Sequence, residues 1–146
     1  MELLVLLVIL GVLASVIVPT WRRAARNSRI TQCASNLSQL WRAQEAYALR
    51  NGSPCDQPGE TYWSGVSSGM DPGMRLCPLK DPKSGPMGID YRGPRSPVTG
   101  LAKEALLGAD KPGNHAPHGA EGVNVLFKSG TVRLLGGGDP VWSQLA

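Results

Sequence analysis

The first feature of the chain is an unbroken apolar run near its beginning. Positions 3–18 read LLVLLVILGVLASVIV, and none of these residues is charged. A helix of this length spans roughly 24 Å, slightly less than the ~30 Å hydrocarbon core of a bilayer. A core helix of a soluble protein usually keeps a polar face, which this run lacks. A cleavable signal peptide would begin with basic residues and end at small ones. We therefore predict a retained, membrane-spanning helix.

The next thirty residues have the hydrophobic spacing of an amphipathic helix. The predicted apolar stripe comprises Ile30, Cys33, Leu37, Leu40, Gln44 and Tyr47, and the opposite face carries Arg26, Arg29, Ser38, Arg42 and Glu45. Asn51-Gly52 is typical of a helix end. We predict one helix from residue 2 to residue 50, roughly 74 Å long, with a kink near Pro19. Its polar half should pack on the rest of the chain through the stripe.

The remainder of the chain predicts a small head with many loops. Residues 53–122 are rich in Pro, Gly and Ser, with short strand-like pieces at 60–63 and 88–92 and one or two helical turns at 102–107. The runs 123–127 and 131–135 are joined by Lys-Ser-Gly, a pattern typical of a β-hairpin. Alternation along the first run places Val123, Val125 and Phe127 on one face of the hairpin and Leu126 on the other. The predicted segments are thus 1–19, 20–52 and 53–146.

Positive charge is concentrated in residues 20–50, and its distribution distinguishes a membrane partner from a nucleic-acid partner. Residues 20–50 hold six arginines and one acid, a net charge of +5, whereas nine basic and nine acidic residues cancel from residue 51 onward. Basic residues that follow an apolar run are typical of a membrane interface, and the neutral head argues against a nucleic-acid partner. We find no Ser/His/Asp context, phosphate-binding loop or paired carboxylates, so we predict that the chain is not an enzyme.

Several residues at fixed spacing carry a resemblance to a known family. They are Glu2-Leu3-Leu4 at the head of the apolar run, Gly11, Pro19 seventeen positions after Glu2, and the run Cys33-x-x-Asn36-Leu37-x-Gln39-Leu40. In these the chain resembles type IV pilin-like proteins, which include the type II secretion pseudopilins. The resemblance implies an α+β, pilin-like fold, with the long helix packed on an antiparallel β head. It also implies a structural subunit in which Glu2, Gly11 and Pro19 serve assembly.

The resemblance also implies partners and a location. The subunit would form a filament with copies of itself and related pilins, extracted from the bacterial inner membrane by an assembly machinery. Its head would lie in the periplasm or, in the filament, outside the cell. Glu2 would neutralise the N-terminal amine of a neighbouring subunit. The arginines after the apolar run, taken alone, predict the opposite orientation. Either the sequence starts at an internal Met, and a basic leader upstream of Met1 is removed by a prepilin peptidase, or the chain is a degenerate, unprocessed member; the charge pattern favours the missing leader. The alternative is a membrane-anchored binding module that does not polymerise.

The tail extends the resemblance and contains both histidines. His118 and Asn124–Phe127 match a family pattern of His, nine residues and Asp-Gly. Here Ser129-Gly130 replaces Asp-Gly and suits a turn, and one extra residue separates it from His118. His115 and His118 flank Pro117 in a loop, and no Cys/His cluster lies nearby in sequence, so we predict no metal or other cofactor. Calcium held by loop acids such as Asp139 is the alternative, although one acid is few for such a site.

Three cysteines leave the disulfide pattern open. Cys33 lies on the predicted long helix, and Cys55 and Cys77 lie in the head. A disulfide would stabilise a small head that has few aromatic residues. We favour Cys55–Cys77, which would contribute about 3 kcal/mol in the chain-entropy model. Cys33–Cys55 and three free thiols are the alternatives, and the odd count leaves at least one cysteine unpaired.

Overall fold

The chain forms one long helix and a small four-stranded antiparallel sheet, an α+β arrangement. The structure, a computed structural model, describes residues 2–80, 88–111, 114–115 and 122–136. Its helices are α1 (Glu2–Asn51) and α2 (Glu60–Val66), and its strands are β1 (Tyr91–Arg92), β2 (Leu106–Asp110), β3 (Val123–Phe127) and β4 (Val132–Leu135). Short 3-10 helices span Pro72–Arg75 and Val98–Gly100. The strand order is β1-β2-β3-β4.

Helix α1 continues through Pro19 and changes its surroundings part-way along. Residues 2–25 are all exposed, whereas six residues of the later turns are buried: Cys33, Asn36, Leu37, Leu40, Ala43 and Gln44. The predicted stripe therefore does pack on the head, and burial begins at about residue 30. The helix ends at Asn51, and Gly52 has φ +73°, a left-handed conformation that glycine adopts without strain.

The main core lies between the second half of α1, α2 and one face of the sheet. Its buried side chains include Leu37 and Leu40 from α1, Trp63 from α2, and Leu107 and Leu126 from the sheet. On the other face of the sheet Val125 packs with Leu106 and Ala109, and Val123 and Phe127 cover them. The predicted hairpin and its two faces are therefore confirmed.

Two local predictions in the head were wrong. Residues 60–63 form part of α2 rather than a strand, because one helical face buries Tyr62, Trp63 and Val66 together. The segment 102–107 is a turn followed by the start of β2, not helical turns. Both faces of β2 are covered, so Leu106 and Leu107 are both buried, and periodicity alone does not separate such a strand from a helix.

The favoured cysteine pairing also needs correction. Cys77 Sγ lies 2.7 Å from Cys33 Sγ, whereas Cys55 belongs to the main core with Tyr62 and Trp63. Cys55 follows the end of α1, about 27 Å along the helix from Cys33 at 1.5 Å per residue. The chain then returns along α1, where Asn36 Nδ2 donates to the Leu76 carbonyl at 3.1 Å. That return brings Cys77 to Cys33, a contact that the sequence alternatives did not include. All three cysteines are free, as in the alternative of three free thiols.

Candidate functional site

The first candidate site is the exposed apolar surface of α1, residues 3–18. The large apolar side chains there are between 47% and 76% exposed, and none is buried in the head. By length and composition this is the one described helix that could cross a membrane, with a window of mean hydropathy 2.8. An apolar surface of this extent is typical of a segment covered by lipid or by other protein chains.

Polar groups within this half of α1 are satisfied by the helix itself. Ser15 Oγ donates to the Val12 carbonyl at 2.7 Å, and Thr20 Oγ1 donates to the Val16 carbonyl at 2.8 Å. Hydroxyl groups bonded back in this way need no water, so they are compatible with an apolar environment. The only charged residue at this end is Glu2, which lies exposed in the first turn of α1.

Gly11 and Pro19 have no evident role within the single chain. A Cβ placed on Gly11 would meet no atom within 4 Å, so no contact in the described chain requires a glycine there. Glycine and proline both weaken a helix interior, by about 1 and 3 kcal/mol relative to alanine. The predicted assembly residues Glu2, Gly11 and Pro19 thus lie along the exposed half of α1. The structure brings neither Glu2 nor Gly11 together with the head, whereas Pro19 lines an open hollow that Leu79 of the head also lines.

The second candidate site is a buried cluster that sequence reasoning missed. Cys33, Cys77, Asp110 and His115 bring their ligand atoms within 4.8 Å of one another, and all four residues are buried. They come from α1, from the segment after the first 3-10 helix, from the end of β2 and from the loop beyond it. Ile30, Cys33, Cys77 and Leu79 form a small apolar cluster here. The sequence predicts no metal ligand at His115, because Pro117 and Gly119 indicate a loop and no further histidine or nearby Cys/His cluster completes a site.

Hydrogen bonds with the surrounding backbone and with the Asp90 carboxylate hold three members of this cluster. His115 Nδ1 lies 3.0 Å from the Gly122 carbonyl, and the backbone N–H of Asn124 donates to Asp110 Oδ2 at 3.0 Å. The backbone N–H of Cys77 donates to Asp90 Oδ2 at 3.0 Å. Asp90 is itself buried and forms an ion pair with Lys80. The cluster is therefore held by a second layer of hydrogen bonds, as is common around metal ligands.

Two polar atoms inside the cluster lack hydrogen-bond partners. His115 Nε2 lies 3.1 Å from Asp110 Oδ2 without meeting hydrogen-bond geometry, and Asp110 Oδ1 also has no partner. Both atoms are buried, and a buried polar atom without a partner costs about 1–3 kcal/mol. The arrangement can therefore accept a cation or further donors.

Burial and mutual contact shift the pKa values of the cluster. The hydrogen bond with Cys33, supported by His115, lowers the pKa of Cys77 to about 6 despite burial. The same hydrogen bond and burial raise the pKa of Cys33. Burial opposes the charged form of His115, but the nearby Asp110 and Cys77 outweigh it and raise its pKa to about 10. One thiol is thus poised to become a thiolate, the form that binds metals and attacks disulfides.

Sequence reasoning missed the cluster because its members are distant along the chain. Cys33 and Cys77 are 44 residues apart, and no local ligand spacing links them. His118 and Asp139 lie outside the described residues, so the calcium alternative and the role of His118 stay predictions. No family model, curated protein or solved structure matches this chain.

Proposed function

We propose that this protein is a structural subunit that assembles into a type IV pilus-like or type II secretion filament through α1. The main support for the proposal is that the surroundings of α1 change at about residue 30. One continuous helix presents sixteen exposed, uncharged residues at one end and is bound into a folded head at the other. A single chain leaves that surface uncovered, whereas lipid before assembly and neighbouring helices after it would cover it.

The details of α1 support packing between helices rather than anchorage alone. An anchor needs only apolar length, and a glycine in its interior weakens it. The open space around Gly11 would let a second helix approach the backbone closely, as small residues do in membrane helix pairs. Glu2 supports the same reading, because a carboxylate among apolar helices is costly unless a positive charge pairs with it. We assign that charge to the N-terminal amine of a neighbouring subunit.

A crosslinking experiment in cells tests the proposal. The full chain, preceded by a prepilin leader, would be produced in a bacterium that carries a filament assembly machine. A photoreactive amino acid would be placed at Val8, and the matched control would carry it at Arg42 on the exposed face of the head-bearing half. We expect self-adducts from the Val8 position in the sheared extracellular or pseudopilus fraction, and far fewer from the control.

The contrary result is equally clear. A chain that stays monomeric in the membrane, forms no self-adduct from Val8 and never enters a sheared fibre is not a filament subunit. In that case the alternative function, a membrane-anchored binding module, would account for the same exposed helix.

A further inference from the structure

We propose that Cys33, Cys77, Asp110 and His115 form a binding site for a zinc-class divalent metal ion that locks α1 to the head. The inference concerns the head and does not depend on filament assembly. It rests on the unpartnered atoms of the cluster, the contact between the two sulfurs, and the donor types present.

The hydrogen bond of the His115 ring fixes which of its nitrogens faces the cluster. A backbone carbonyl only accepts, so Nδ1 donates its proton to Gly122 at 3.0 Å. Nε2 then points toward Asp110 Oδ2 at 3.1 Å, where no hydrogen bond forms. The two atoms form an ion pair when Nε2 carries a proton, and a metal ion would occupy the place of that proton.

The Asp110 carboxylate points to the same location. Its Oδ2 is already engaged by the backbone N–H of Asn124, whereas its Oδ1 is buried and unpartnered. A proton on His115 can neutralise the carboxylate in the metal-free chain, but no described donor reaches Oδ1. A metal ion would bind Nε2 and a carboxylate oxygen together and would displace the proton from His115.

The two sulfurs supply the other half of the donor set. Cys33 Sγ and Cys77 Sγ lie 2.7 Å apart, between the bond length of a disulfide, about 2.0 Å, and the spacing of two thiolates that share a metal ion, so the contact is compatible with either partner. Two thiolates on one tetrahedral zinc, each with a Zn–S distance of about 2.3 Å, stand about 3.8 Å apart. Loading would therefore move the sulfurs apart by about 1 Å.

The donor set determines the metal class. Two thiolates, one imidazole and one carboxylate suit zinc, whereas calcium and magnesium require oxygen ligands. Four buried protein ligands leave no open position for substrate, which is the arrangement of a structural site rather than a catalytic one. The ligands join α1 to β2, to the segment that carries Cys77 and to the loop that carries His115. The ion would therefore fix the position of the head relative to α1.

Cobalt titration tests the site, because tetrahedral Co²⁺ reports its own ligands in its absorption spectrum. The full-length chain would be reduced, stripped with a chelator and titrated with Co²⁺ in detergent micelles without oxygen. We expect one Co²⁺ per chain, the visible bands of a tetrahedral ion and a near-ultraviolet thiolate-to-cobalt band. One equivalent of Zn²⁺ should displace the Co²⁺ and abolish both signals.

Matched variants assign the ligands. Cys33→Ser and Cys77→Ser should each weaken the thiolate-to-cobalt band. Asp110→Asn and His115→Gln should each lower cobalt affinity by more than about 100-fold, which exceeds the usual effect of losing a residue that only hydrogen-bonds to a metal ligand. Cys55→Ser removes the third buried cysteine, which lies outside the cluster, and should leave the spectrum unchanged. Far-ultraviolet circular dichroism of each metal-free variant checks that its helix and sheet are retained.

Three results would overturn the proposal. The first is that the reduced, folded wild type gives no thiolate-to-cobalt band. The second is that the band survives in Cys33→Ser and Cys77→Ser alike. The third is that the chain isolated from cells carries a Cys33–Cys77 disulfide that persists when it is produced with added zinc. In that third case the two thiols have each lost a proton and an electron to a cellular oxidant, and a disulfide rather than a metal ion links α1 to the head.

Discussion

Trp41 on α1 lies directly against Gly130 in the turn between β3 and β4. The indole Nε1 donates to the neighbouring Lys128 carbonyl at 3.2 Å, and a Cβ on Gly130 would come within 2.8 Å of the ring. Gly130 also has φ +86°, in the left-handed region. The hairpin turn and the helix are thus fitted to each other at a position where only glycine is accommodated without strain.

Gly130→Ala should therefore destabilise the head. The added methyl group meets the Trp41 ring, and alanine is strained at this φ, so we expect a loss of about 2–4 kcal/mol in the free energy of unfolding. Denaturant unfolding of the chain in detergent, followed by tryptophan fluorescence, measures it. Gly100→Ala is the matched control, because a Cβ there meets nothing within 4 Å, and it should change stability by less than about 0.5 kcal/mol. Equal effects of the two substitutions would contradict the assignment.

A second contact between α1 and the head should show energetic coupling. Asn36 Nδ2 donates to the Leu76 carbonyl and lies 3.3 Å from the Tyr91 hydroxyl, which donates to the same carbonyl at 3.2 Å. We expect Asn36→Ala to cost about 1–3 kcal/mol and Tyr91→Phe about 1 kcal/mol. The double variant should differ from their sum by at least about 0.5 kcal/mol, because the two side chains share one acceptor.

The control for this set of variants is Tyr62, the other buried tyrosine of the core. The Tyr62 hydroxyl is buried without a hydrogen-bond partner, so Tyr62→Phe removes no hydrogen bond and should leave stability unchanged or raise it. Combined with Asn36→Ala, it should be additive. Coupling as large for Tyr62 as for Tyr91 would mean that the Asn36 effect does not depend on the shared carbonyl.

The sequence predicted the elements whose periodicity is long or regular. The helix ending at Asn51, its buried stripe and the β3–β4 hairpin all follow from repeated spacing and from turn residues. It failed on α2 and β2, which are short. Tyr62 and Trp63 belong to types that favour strands, and Leu106-Leu107 to a type that favours helices. In both segments packing against the rest of the head overrides these weak preferences.

The two candidate sites differ in how much of each could be predicted from the sequence. The apolar half of α1 is a local property of consecutive residues, so its existence was predictable, although the point at which burial begins was not. The cysteine cluster depends on the return of residues 71–80 along α1 and on the position of β2. No local spacing encodes that return, so the sequence favours a disulfide within the head, Cys55–Cys77.

Gly11→Ala should separate the stability of the single chain from its assembly. The methyl group has open space in the chain, and alanine favours a helix by about 1 kcal/mol over glycine. We therefore expect unchanged or slightly higher helicity and an unchanged head, together with a lower filament yield. Circular dichroism in micelles and the sheared fraction measure the two effects. Ser15→Ala, one turn further along, is the control and should assemble normally, because Ser15 Oγ already bonds within the helix. Normal filament yield from Gly11→Ala would remove the argument for close helix approach at this position.

Glu2 should matter for assembly and not for folding. It is exposed and distant from the head, so Glu2→Ala should leave the unfolding transition of the head unchanged. In a filament the same carboxylate would be surrounded by apolar helices, where an unpaired amine on the neighbouring subunit becomes costly. We therefore expect Glu2→Ala and the nearly isosteric Glu2→Gln to reduce the sheared fibre fraction at least tenfold while membrane levels stay constant. Glu45→Ala, which removes an exposed acid from the head-bearing half of α1, is the matched control. A normal fibre fraction from Glu2→Gln would show that the negative charge does not align the subunits, because Gln keeps nearly the size of Glu and lacks its charge.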